Sequence, residues 1–346
     1  MQETDVAIIG AGPIGIELAA ALRREGVDHQ LIDAGPIGAT LTWWAPHTKF
    51  FSSPERIAIA GIPLVVPGQD KATGEQYLDY LRLVVGAHDL RVRTYEPVRD
   101  VVRSADAFTL STIKGQTRAR RVVLAIGNMH RPNLIGVPGE DLPHVSHYLA
   151  DPHVYYGRRV LIVGGKNSAV EAAIRLYRVG ARVTISYRRA GFDAKRVKYW
   201  LRPELEWLID KERIAFEPYT CVREIRDEIT ILDRLAPDLE PLGDTFEHES
   251  DVVLLLTGYE QDPAMFTRLG VELIGDGPAP RFRRTTMETN VEGVYVAGTA
   301  AAGTERHGVK TFIETAHVHV DRIVAHVTGA APPKEVEPAE AALPEA

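Results

Sequence analysis

Short aliphatic blocks recur along the chain, each closed by glycine and followed by a run with helical spacing. Asp5 to Ile9 is apolar and leads into Gly10-Ala11-Gly12-Pro13-Ile14-Gly15. Ile16 to Arg24 then places apolar residues as an amphipathic helix does, and Gly26 ends it. His29 to Ile32 reads as a second strand, closed by Asp33. The pattern starts again far along the chain. Arg159-Val160-Leu161-Ile162-Val163 leads into Gly164-Gly165-Lys166-Asn167-Ser168-Ala169, then a helix over Ala169 to Val179 and a strand over Arg182 to Ser186. Strand, glycine turn, helix and strand, twice over, predict an α/β fold with two Rossmann-like dinucleotide-binding domains.

Between and after these units the pattern is less regular. Thr73 to Gly86 reads as a helix with Tyr77, Leu78, Leu81 and Val84 on one face, and alternating strands run from Arg91 to Ile113. Arg121 to Ile126 is an apolar strand ending in Gly127-Asn128. Arg131 to Pro143 holds three prolines and two glycines and reads as a connection between domains. Asp251 to Thr257 is a further buried strand. Val294 to Thr299 is the last strong one, before a helix from about Lys310 to Val327. Residues 331–346, rich in Ala, Pro and Glu, read as a disordered tail.

Composition narrows the chemistry. A chain of 346 residues suits about two domains, and a formal charge of −7 leaves no broad basic surface for nucleic acid. No apolar run reaches the ~20 residues that span a bilayer, and the acidic start Met1-Gln2-Glu3-Thr4-Asp5 is no secretory signal. A cytoplasmic protein that engages no membrane is expected. The single cysteine, Cys221, rules out an internal disulfide and a CxxC pair, and reads as a small buried hydrophobe on a strand. Twelve histidines include no persuasive metal spacing. His317 and His319 point to different faces of one helix, and His144 and His147 lie on the connection. No metal is expected. Ser168 reads as a helix-start residue rather than a nucleophile, since no GxSxG elbow surrounds it.

The first glycine motif carries the clearest reading. Gly10 permits the tight turn, Gly12 lets backbone approach a pyrophosphate, and Gly15 allows close helix packing, with Pro13 and Ile14 opening the helix whose amides face the phosphate. Asp33, with Ala34 beside it, falls where a carboxylate can accept from ribose hydroxyls. A bare glycine turn in a doubly wound sheet is the plainer alternative. Placement at the N-terminus, with a partner strand at the far end of the chain, points to FAD. Gly127, Gly298, Thr299, Lys310 and Thr311 would complete that site, although simple packing of a C-terminal helix also accounts for the last of them. In the second motif Lys166 stands where glycine is common and Ala169 replaces the last glycine. Tyr187-Arg188-Arg189 follows, with no carboxylate. Two guanidiniums there suit the 2′-phosphate of NADPH, with Lys195 and Arg196 beside them; a solvated basic face is the alternative. Trp43, Trp44, Phe50 and Phe51 are read equally as core or as a shield over one flavin face. The domains expected are therefore 1–144 with 262–330 for FAD and 145–261 for NADPH.

Several segments resemble a known family. They are Ser52-Ser53-Pro54-Glu55-Arg56-Ile57-Ala58-Ile59-Ala60-Gly61-Ile62-Pro63, the run from Val137 to Tyr148, Gly164 to Ala173, and Val197-Lys198-Tyr199-Trp200-Leu201. Together they resemble bacillithiol disulfide reductases of the YpdA or Bdr type, within the thioredoxin-reductase-like flavoproteins, over nearly the whole chain to about Val327. The resemblance implies FAD, NADPH and reduction of a low-molecular-weight disulfide. It also implies a redox cysteine inside the first glycine motif, where this chain has Ile14. No catalytic side chain is then expected, the flavin being the reactive group. The expected partner is a small-molecule disulfide or a small redox protein such as a ferredoxin, acting with a homo-oligomer. A flavin monooxygenase, suggested by His147 and the Pro-Gly connection, and a redox sensor without turnover are the other readings.

Overall fold

In a computed structural model the protein is described at residues 1–305, 311–331 and 333. The chain divides into two compact units. One holds Met1–Trp43, His47–Arg131 and the chain from Glu260 onward; the other holds Trp44–Pro46 and Pro132–Tyr259. The crossings thus fall at 131/132 and 259/260, not at the 144/145 and 261/262 read from sequence. The reason is local. Asn133 N–H donates to Gly258 O at 3.0 Å, so residues 132–144 run with the returning chain of the second unit.

The first unit is built on a seven-stranded sheet. Gln2–Ile9 lies at its centre, parallel to His29–Ile32 on one side and to Gly115–Leu124 on the other. Val6, Ala7 and Ile8 are fully buried, as a strand covered on both faces requires. Val294–Val296 adds a parallel strand beside the end of Gly115–Leu124, while Phe108–Thr112 and Asp100–Arg103 extend the other end as antiparallel strands. Two helices pack against each other on this frame: Pro13–Arg24, with Pro13 in its first turn, and Ile313–Thr328, ended by the left-handed Gly329. The helix Gly74–Ala87 begins at a reciprocal cap between Thr73 and Gln76. Phe50 is 9% exposed with its ring 4.6 Å from that of Tyr77, which makes it core rather than a flavin shield.

The second unit carries a five-stranded parallel sheet in which Arg159–Val163 lies between Arg182–Tyr187 and Val252–Leu255. Its helix Asn167–Arg178 buries Ala169, Val170, Ala173 and Leu176 against the sheet. A separate antiparallel sheet of Thr220–Ile225, Ile229–Leu235 and Pro241–Glu249 packs Val222 and Leu232 onto the opposite side, against Leu161 and Val253. The outer strand is exposed at most positions and so shows no apolar alternation; of this sheet the sequence shows only the strand around Cys221. Cys221 lies on it, half-buried, with the thiol pushed up by burial and by Asp233 beside it. Among the described residues no helix is long and apolar enough to cross a membrane.

Candidate functional site

The first glycine turn is dictated by close approach. Gly10 has φ +112° and a Cβ there would stand 2.3 Å from Ala125 O, on the neighbouring strand end. A Cβ on Gly15 would stand 1.9 Å from Gly10 O, so helix and turn touch backbone to backbone. Gly12 differs: nothing lies within 4 Å of its Cβ position, and no side chain caps the helix it starts. An uncapped helix N-terminus facing open space at a residue without a side chain is a cradle for an anion. The donors and the room that a dinucleotide pyrophosphate needs are therefore present.

Asp33 has a second task beyond the one read from sequence. Its Oδ2 accepts from Ala11 N–H at 2.6 Å and its Oδ1 from Gly35 N–H at 2.7 Å. The carboxylate thus pins the glycine turn to the strand end, and one further lone pair on each oxygen remains for a ligand. Burial raises its pKa against the two amide bonds, which lower it. Ala34 is exposed beside it.

The end of the chain returns to this turn. Gly298, at φ +67°, would place a Cβ 3.3 Å from Ile14 Cβ, so the position where the resemblance implies a cysteine packs directly on Gly298. Gly298 N–H donates to His319 Nδ1 at 3.2 Å. Thr299 faces Gly127, its Oγ1 3.8 Å from the Cβ position there. Gln261 ties the same turns: its Nε2 donates to Gly127 O at 3.1 Å and to Ala300 O at 2.9 Å. Asn128 Nδ2 donates to Gly303 O at 3.2 Å, and Thr311 N–H to Glu305 Oε1 at 3.1 Å. Lys310 lies outside the described residues, and the final helix starts at Ile313 rather than near 310. Gln261 and His319 were invisible to pattern reading, because each acts on a residue far away in sequence and neither breaks the local periodicity.

The second turn repeats the geometry with different chemistry. A Cβ on Gly164 would stand 2.5 Å from Leu256 O, and one on Gly165 would stand 2.4 Å from the Tyr187 ring. That ring stacks on Phe192 at 5.9 Å and 12°. Lys166 occupies the cap position of the helix, Asn167 Oδ1 accepts from Lys198 N–H at 2.9 Å, and Ser168 is exposed while Ala169 is buried. Desolvation, then the nearby Arg196 and Arg188, lower the Lys166 pKa, which marks a local concentration of positive charge. Arg188 and Arg189 are exposed at the strand end; among the described residues neither pairs with a carboxylate. Lys195 is exposed too, its N–H bound to Asp193 Oδ1 at 2.8 Å. Arg188 and Arg189 follow directly on the strand, and Lys166, Arg188 and Arg196 lie close enough for their charges to act on one another.

Known proteins share this layout. The family model described as pyridine nucleotide-disulphide oxidoreductase matches residues 7–298. Bacilliredoxin reductase Bdr of Bacillus subtilis (strain 168) is 34% identical over 328 residues, covering 94% of this chain and 98% of that protein. The solved bacillithiol disulfide reductase Bdr (YpdA) from Staphylococcus aureus superposes with a TM-score of 0.88 at 32% identity, covering 95% of this chain and 99% of that one. The thioredoxin reductase of T. acidophilum, at a TM-score of 0.73 and 20% identity over 95% of this chain and 99% of that one, shares the fold. A match that runs from the first strand to the Gly298 turn leaves one assignment: the chain belongs to the pyridine nucleotide-disulphide oxidoreductase family, as an FAD-dependent oxidoreductase with a thioredoxin-reductase-like fold.

Proposed function

We propose that the protein is an NADPH-dependent reductase of a low-molecular-weight disulfide, of the kind bacillithiol disulfide represents, working without a protein cysteine. The observation that carries this reading is the contrast between the two glycine turns. The first ends in a half-buried carboxylate, Asp33, and the second in the exposed guanidiniums of Arg188 and Arg189, which pair with no carboxylate among the described residues. The carboxylate suits the ribose hydroxyls of FAD, and the guanidiniums suit the 2′-phosphate that distinguishes NADPH from NADH.

When bound, FAD supplies the N5 that takes hydride from the nicotinamide and returns two electrons to the disulfide; the balance is NADPH, one proton and RSSR giving NADP⁺ and two RSH. The chain's part is to hold and align. Gly12, Pro13, Ile14 and Gly15 present the helix terminus to the FAD pyrophosphate, and Gly10 lets the turn close. Asp33 and Ala34 meet the adenosine ribose, and Gly127, Gly298, Thr299 and Thr311 line the flavin end. Gly164, Gly165, Asn167, Ser168 and Ala169 receive the NADPH pyrophosphate, with Lys166 as an added cation and Lys195 flanking the 2′-phosphate. Ile14 offers no thiol, and Cys221 belongs to the other unit, its thiol pKa pushed up by burial and by Asp233.

The test is anaerobic NADPH oxidation by the FAD-loaded protein with bacillithiol disulfide as the only acceptor. Turnover is expected. Bleaching of the flavin without turnover would overturn the disulfide substrate and favour a protein acceptor such as a ferredoxin, which the missing cysteine also suits.

A further inference from the structure

The mechanism above leaves His319 without a role. It lies inside the last helix, 9% exposed, and its Nδ1 receives the N–H of Gly298 at 3.2 Å. A buried backbone N–H at a strand end must find an acceptor, and at this turn a side chain supplies it rather than the backbone. Gly298 cannot relax freely, since its left-handed φ of +67° sets the turn's direction and Ile14 closes the space beside its Cα. The imidazole is thus the brace on a turn whose other side rests on the opening of the first helix.

We propose that His319 is a positioning residue for the cofactor: by holding Gly298 against Ile14 it fixes the Gly298-Thr299 turn at the spacing the flavin requires. This rests on the assignment of that turn to FAD. No direct contact between His319 and the flavin is implied. The bond requires an unprotonated Nδ1, so the tautomer carries its hydrogen on Nε2. The side chain best able to replace it is asparagine, whose carbonyl oxygen can stand near the place of Nδ1; leucine fills the volume and accepts nothing.

The experiment compares wild type with His319→Leu, His319→Asn and Gly298→Val, each loaded with FAD. It reads FAD dissociation constants, the visible flavin spectrum, and kcat and KM with a soluble dye acceptor. His319→Leu is expected to weaken FAD binding about 10- to 100-fold, the cost of leaving a buried N–H unpaired. It should also shift the flavin absorption bands and lower kcat with little change in the KM for NADPH. His319→Asn should recover most of the affinity and the wild-type spectrum. Wild-type affinity and spectrum in a folded His319→Leu, or His319→Asn binding no better than His319→Leu, would overturn the inference alone. Unchanged FAD binding in Gly298→Val would overturn the assignment of the turn as well. Should His319→Leu fail to fold, the comparison of His319→Asn with wild type still decides, because near wild-type affinity and spectrum are required of it.

Discussion

His317 Nδ1 lies 2.8 Å from Glu17 Oε2, across 300 positions of sequence, while its Nε2 lies 3.1 Å from Arg56 O. A carboxylate and a carbonyl oxygen can only accept, so this arrangement favours the ring with a proton on both nitrogens. Burial alone would lower its pKa, but the bond to Glu17 and that carboxylate's charge outweigh it and the net shift is upward. Two residues on, His319 is pushed the opposite way, down to about 4, by burial and then by Arg322 and His317. One helix therefore carries two histidines whose proton affinities are shifted in opposite directions.

The signs of their pH effects are opposite. A raised pKa gives stability that is complete below about pH 6.5 and lost as pH rises through the folded value. The depressed pKa of His319 gives stability present above about pH 6.5 and lost as pH falls through about 4. Thermal melting from pH 5 to 9 should show Glu17→Gln less stable than wild type by about 1 kcal/mol at the acid end, the difference shrinking as pH rises. A difference that grew with pH would contradict the imidazolium.

Gly12 and Gly15 should part company on substitution. Gly15→Ala drives a Cβ into Gly10 O and should destabilise the fold by about 3 kcal/mol or more, with or without cofactor. Gly12→Ala meets no protein atom, so the apoprotein should melt as wild type does while FAD affinity falls. Differential scanning fluorimetry with and without FAD separates the two.

The double change Arg188→Ala with Arg189→Ala should raise the KM for NADPH about 10- to 100-fold and leave that for NADH nearly unchanged. Steady-state kinetics with both nicotinamides measures this. Equal effects would remove the 2′-phosphate from the assignment and return the two arginines to a solvated basic face.

Cys221→Ser should reduce the disulfide as fast as wild type, and wild type should resist iodoacetamide during turnover. The thiol is raised in pKa by burial and by Asp233, lies in the second unit, and is the chain's single cysteine. Inactivation by alkylation would mean that Cys221 takes part after all.

What could be read from sequence was whatever repeats locally. The two strands before Gly10 and Gly164, the helices after them, and the strand at Val294 announce themselves because buried parallel strands are continuous apolar runs. Asp33 and Arg188 were legible because each closes such a strand. The antiparallel sheet over Thr220–Glu249 was legible only at its first strand, around Cys221, since its outer strand faces solvent. The service of Asp33 to Ala11 and Gly35 was not legible, nor was the grip of Gln261 on Gly127 and Ala300. Those depend on where turns meet after folding, and no period in the chain encodes that.

The order in which the strands occur along the chain bears on how the protein is made. The second unit, Trp44–Pro46 apart, is one continuous stretch ending at Tyr259, so it can complete as soon as that stretch leaves the ribosome. The first unit cannot. Its strand at Val294–Val296 pairs with Gly115–Leu124, and the helix that braces Gly298 follows later still. During synthesis the apolar edge of Gly115–Leu124 therefore waits through more than a hundred residues for its neighbour. A pause or truncation before residue 294 would leave a finished second unit attached to an open, aggregation-prone first unit.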